Sequence, residues 1–262
     1  MIIKWSLMAL TAGSTAGIGL FIFGSMNNFR EWSGKSYPFF TGTAFVLMLT
    51  GLVIHIMGLG TPSNLLGMLS HITTGFSMAT IGTVLLVVLL FIIAIRSSMG
   101  KSTPKWMPIF GFILSVCVCY GLSLVYTKAS RPALNHWFIP LYIAAVTCLS
   151  GSYGHIFFRR PYFRSGAVVR FMFLAMTISA VAGFLINLKI IDTADRYLNM
   201  QIINSNMAWC FYGGTVIIGL GGPLMAELAL KFSKRGRIFT LAGWIGTFIG
   251  SISFFTIINI LG

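Results

Sequence analysis

Eight apolar runs follow one another along the chain, at about residues 5–26, 38–58, 75–96, 106–127, 138–158, 168–188, 206–228 and 239–261. Polar and charged residues collect in the short gaps between them. Each run is close to the ~20 residues a helix needs to cross the hydrocarbon core of a bilayer. Lipid offers backbone N–H and C=O groups no partners, so each run must satisfy them internally as a helix. The pattern predicts an all-α, polytopic membrane protein of eight transmembrane helices. The connections leave no room for a soluble domain, so residues 1–262 read as a single membrane domain. The first run is longer than the ~7–15 apolar residues of a secretory leader, and no small-residue cleavage site follows it. It reads as a span.

Composition narrows the class further. Of the 262 residues, 56% are apolar and 8% charged, against roughly 25% charged in a soluble domain. That excludes a soluble enzyme, a disordered chain and a reader of nucleic acid. The 18 Lys and Arg against 4 Asp and Glu would suggest a polyanion partner in a soluble protein. Here they mark membrane topology. Arg30, Lys35, Arg96, Lys101, Lys105, Arg159, Arg160, Arg164, Arg170, Lys231, Lys234, Arg235 and Arg237 fall on one side. Only Lys4, Lys128, Arg131, Lys189 and Arg196 fall on the other. The richer side should be cytoplasmic, which leaves both termini and the even-numbered connections outside, in a cytoplasmic (inner) membrane. The basic clusters at 158–170 and 231–237 read as topology signals in contact with anionic headgroups.

Groups able to do chemistry are few. Glu31 lies in the first inner connection, Glu227 at the inner end of span seven, and Asp192 and Asp195 in an outer connection. A proton-coupled transporter usually carries an acid inside the membrane, and none falls in the middle of a span. Among four histidines, His55 sits near the outer end of span two and His71 in the next connection. His136 precedes span five and His155 lies near its inner end. No second histidine faces His55 at similar depth, so neither haem nor cluster is expected. His55 reads either as an interfacial histidine bonded to a neighbouring carbonyl or as a ligand contact. Cys117, Cys119, Cys148 and Cys210 lie within apolar stretches and imply no disulfide or metal framework. Cys117 and Cys119, two apart on a helix, do not share a face. Gly13/Gly17 and Gly246/Gly250 have the spacing for close helix packing. Residues Gly219 to Pro223 should let span seven bend or approach a neighbour.

Several stretches together resemble the membrane-anchor subunit family of dimethyl sulfoxide reductase-type molybdoenzymes. They are KWSLMALTAGSTAGIGLFIFGSM in span one, Gly58-Leu59-Gly60-Thr61-Pro62 after span two, and VYTKASRPALNHWFIP between spans four and five. MAWCFYGG in span seven and AGWIGTFIGSISFF in span eight complete the set. The resemblance implies a non-catalytic anchor for anaerobic respiration and electron transport. It would dock an iron–sulfur subunit and a molybdenum-containing catalytic subunit on the outer face and offer a site for menaquinol or another quinol.

The family's usual site residues are replaced here. Gly58 stands where the family has a histidine, Thr80 about where it has a glutamate, and Gly246–Ser251 where it has G-E-x-x-G-R. One reading is compensation: His55 lies one helical turn from Gly58 and, with His71 nearby, would supply the imidazole that accepts a proton. The expected quinol contacts are His55, Gly58, Gly60, Pro62, His71, Thr80, Trp209 and Thr247, between spans two, three, seven and eight. The alternatives are an anchor that has lost quinol oxidation and, from another class, a small-molecule transporter. A lipid-modifying enzyme ranks last, for want of a carboxylate pair or nucleophile–base motif.

Overall fold

The computed structural model describes residues 5–27, 37–58, 74–127, 137–158, 165–190, 208–232 and 236–261. They are almost wholly helical: α1 (Trp5–Asn27), α2 (Tyr37–Gly58), α3 (Gly75–Ser98), α4 (Trp106–Tyr126), α5 (Phe138–Phe158) and α6 (Ser165–Ile190) come first. They are followed by α7 (Cys210–Phe232) and α8 (Gly236–Leu261). All eight are long and apolar enough to cross a membrane. The protein is an all-α, multi-pass membrane protein. Alternate crossings place Trp5, Gly58, Gly75, Tyr126, Phe138 and Cys210 at one side of the bundle, called here the Trp5 side. Asn27, Tyr37, Ser98, Trp106, Phe158, Ser165, Phe232 and Gly236 lie at the other, the Asn27 side.

Local sequence explains the helix ends. Thr74 is extended at the N-terminus of α3, and its Oγ1 accepts the Ser77 N–H at 3.3 Å, satisfying an orphan donor. At the far end Gly100 adopts φ 70°. This lets Lys101 N–H reach Arg96 O at 3.0 Å and Gly100 N–H reach Ser97 O at 3.1 Å. A side chain at position 100 would oppose that left-handed turn.

Consecutive helices are neighbours throughout, and the contacts close two rings of four. In the first, α1, α2, α3 and α4 pack in sequence and α4 returns to α1. In the second, α5 to α8 do the same and α8 returns to α5. The rings join where α1 meets α5 and α8 and where α4 meets α5. Four crossings separate the two rings, so they have the same rather than inverted orientation.

Helix α1 is the hub, with 83% of its apolar window buried. Its small residues make that possible, because tails of lipid compete for any apolar surface and only close packing favours helix over lipid. Methyl groups added at Gly13 or Gly51 would each come within 2.6 Å of a carbonyl oxygen on the facing helix. At the ring junction, side chains at Gly19 or Gly151 would strike the opposing backbone. Close packing is also formed at Gly246 and Gly250, whose partner proves to be span seven, Gly250 lying against Gly219.

Candidate functional site

His55 and Thr80, singled out from the sequence, meet in the structure. His55 is 1% exposed in the last turn of α2, and Thr80 is fully buried on α3. Thr80 Oγ1 lies 3.2 Å from His55 Nε2 and 2.9 Å from the Phe76 carbonyl oxygen, one turn back on its own helix. A threonine hydroxyl has one proton to give. Donated to Phe76, it obliges His55 Nε2–H to donate to Thr80, so this network assigns the Nε2–H tautomer. Nδ1 then carries a lone pair. It is buried and makes no well-formed hydrogen bond among the described residues, with the Ser6 backbone beside the ring as an acceptor. Phe76 packs its edge against the imidazole at 5.2 Å. Thr80, Phe76 and the Ser6 backbone thus surround the imidazole.

Gly58 belongs to the same corner. A side chain there would run into the Ser6 side chain of α1, so position 58 lies in the α1–α2 crossing. A larger residue at 58 would force α1 aside. His55 lies one turn deeper and meets Thr80 of α3. Thr247 is buried on α8 and donates to its own Gly243 carbonyl at 2.8 Å. Trp209, beside the start of α7, is 80% exposed. Both belong to the second ring, whereas His55, Gly58 and Thr80 belong to the first. Gly60, Pro62 and His71 lie outside the described residues.

The structure also assembles a constellation that the sequence reading missed. Arg170 of α6 and Glu227 of α7 form a two-pronged ion pair, Nε to Oε1 and Nη2 to Oε2, the latter at 3.2 Å. Both side chains are almost wholly buried. Each residue lies five positions from its helix end on the Asn27 side, about 7.5 Å along the axis, so the charges meet at equal depth. The Arg170 guanidinium carbon is 5.8 Å from the centre of the Tyr153 ring of α5. Tyr153 Oη in turn donates to Pro223 O of α7 at 2.9 Å. Arg170, counted from the sequence as a topology charge at the edge of a span, is inside the bundle. Glu227, read as an acid at a helix end, is its partner. The available signal was two opposite charges, each inside a helical run on consecutive spans and on the same side.

Helix α7 has a second peculiarity. Cys210–Gly221 is wound as a π-helix and Gly222–Phe232 as an α-helix. A π-wound stretch is rare and often lies at a functional position. Gly219 and Gly250 touch backbone to backbone, and the wider coil presents Thr215 inward, its hydroxyl buried without a hydrogen-bond partner among the described residues. The bend expected at Gly219–Pro223 thus takes the form of a change in helix type.

Hydroxyls elsewhere tie helices together. Tyr126 Oη and Thr11 Oγ1 lie 2.8 Å apart across α4 and α1, and Trp244 Nε1 of α8 donates to Ser150 Oγ of α5 at 2.8 Å. Cys117 is exposed while Cys119 turns inward toward Thr147, at 4.0 Å, as two-residue spacing on a helix requires.

No family model matches this chain, and no curated protein or solved structure matches it either.

Proposed function

We propose that this protein is the membrane anchor of a molybdoenzyme-type oxidoreductase complex and that it oxidises quinol at the His55–Thr80 corner. The observation that carries the reading is that corner itself. A buried imidazole, hydrogen-bonded through Nε2 and with no well-formed bond at Nδ1 among the described residues, sits one turn from the glycine that replaces the resembled family's histidine. Its partner is the threonine that stands about where that family has an acid.

Quinol oxidation releases two protons and two electrons, so the site needs a proton acceptor of suitable basicity beside the ring oxygen. His55 Nδ1 takes the first proton and passes it to water on the outer side before the second is released, and Thr80 fixes the imidazole's orientation. The electrons pass to an iron–sulfur subunit docked on the Trp5 side, which the Lys and Arg distribution makes the outer face of a cytoplasmic membrane. A molybdenum subunit beyond it performs the terminal reduction.

A mild-detergent pull-down with mass spectrometry and iron and molybdenum analysis tests the anchor role. Recovery of an iron–sulfur protein and a molybdenum subunit supports it. Recovery of a stable, metal-free chain alone overturns it and favours the transporter reading, for which the buried Arg170–Glu227 pair is the supporting observation.

A further inference from the structure

Helix α8 carries two apolar grooves on its outward face, one to each side of Ile245. The first has a volume of about 180 Å³, with Ala16 of α1 and Leu47 of α2 opposite Leu241, Trp244 and Phe248 of α8. The second runs between α7 and α8, where Gly221, Gly222 and Gly246 take little room beneath Ile217 and Met225. Ile245 lines both and is 48% exposed, so it forms the ridge between them. One wall is fixed in place: the Trp244 indole donates to Ser150, and its ring contacts Phe157 and Phe158 of α5 at 6.3 and 6.1 Å.

A cation stands at the foot of the first groove. Arg237 is exposed in the first turn of α8. Residues 237, 241, 244 and 248 follow the three- and four-residue spacing of one helix face. A side chain in a helix leans toward the helix N-terminus, so Arg237 reaches toward the Asn27-side membrane surface. From Arg237 to Phe248 is eleven residues, about 16 Å at 1.5 Å per residue. That is about half of a ~30 Å hydrocarbon core, the depth of one leaflet.

We propose that this face binds one anionic diacyl phospholipid from the leaflet on the Asn27 side. One acyl chain lies in each groove, Ile245 separates them, and the phosphate meets Arg237. Two apolar grooves with a ridge between them suit two chains joined at one end, and exposed Arg237, in line with the first groove, suits a negative headgroup. The site is independent of the His55–Thr80 corner and stands whether or not that corner oxidises quinol.

Native mass spectrometry of the full chain, purified in mild detergent and titrated with phosphatidylglycerol or phosphatidylcholine, tests it. The expected result is one tightly held phosphatidylglycerol per chain, preferred at least tenfold over phosphatidylcholine. Ile245→Trp, which fills both grooves, should abolish retention of either lipid. Arg237→Gln changes only an exposed side chain and should remove the headgroup preference while leaving chain binding. Equal retention of both lipids by the unaltered protein overturns the proposal. So does a phosphatidylglycerol preference that survives Arg237→Gln, or retention unaltered in Ile245→Trp.

Discussion

The two buried polar constellations of this bundle solve the same problem by different means. At the Trp5 side, His55 and Thr80 present a neutral hydrogen-bonded pair in which a hydroxyl is satisfied by its own helix. At the Asn27 side, Arg170 and Glu227 bury two full charges against each other. The neutral pair can lose a member and leave behind a small polar group. The charged pair cannot, because the survivor is an uncompensated ion in a low-dielectric interior. The first corner therefore tolerates the loss of a member at less cost to the fold. The second holds α6 and α7 in register and is poorly suited to giving up a charge.

The largest effect should come from breaking the charged pair. Glu227→Gln is expected to destabilise by about 3–5 kcal/mol, seen as a lower thermal midpoint in detergent, with Arg170→Gln comparable. The double substitution should recover most of that loss. A double variant as unstable as either single one would show that the two residues matter separately and would dissolve the contrast.

His55→Ala should behave differently. It should lower the thermal midpoint less than Glu227→Gln does, while lowering quinol-linked turnover of the assembled complex by about a hundredfold, the lower end expected for loss of a general base. Full turnover by a normally assembled His55→Ala complex would remove quinol oxidation from this corner and leave a structural anchor.

Gly151→Leu probes the junction on which both corners depend. Overpacking there should destabilise by about 1–3 kcal/mol, because the new side chain meets the Gly19 backbone rather than a side chain that can rotate away. The same substitution at Gly42, which has open space around it, is the control and should alter the thermal midpoint little.

The smallest effect should be that of Thr80→Val, which preserves shape and removes one hydroxyl. Interhelical hydrogen bonds in membranes are worth about 0.6 kcal/mol on average, so the midpoint should move by only a degree or two. The informative readout is turnover, which should fall if Thr80 orients the imidazole for proton transfer. Unchanged turnover would leave His55 acting without it.

Much of the fold was legible because its cause is local. Eight apolar runs become eight helices wherever lipid denies the backbone other partners, and the helices begin and end within a few residues of those runs. The glycine spacings were readable for a similar reason, since a stripe of small residues implies that something comes close. Which helix comes close was not readable. Nothing along the chain indicates that Gly19 meets Gly151, or that four helices close on themselves and the next four do so again in the same orientation. No repetition between residues 1–130 and 131–262 was evident in the sequence, because many apolar sequences can make the same ring of contacts.

The site divides in the same way. Residue type and its place in a span made His55 a candidate, and only the family resemblance tied it to Gly58 and Thr80. That the imidazole bonds to Thr80, and that the Ser6 backbone lies beside it, follows from how α2, α3 and α1 cross. Trp209 and Thr247 shared the sequence argument and lie in the other ring. Arg170 and Glu227 illustrate the limit most clearly: charge counting assigned each to an edge, because composition registers a charge without its surroundings. The sequence by itself determined that the chain is a membrane bundle of eight helices, since burial in lipid constrains every residue of a span in the same way. Tertiary structure alone decided which polar groups are partners, because partnership depends on rotation and depth of separate helices that the order of residues does not record.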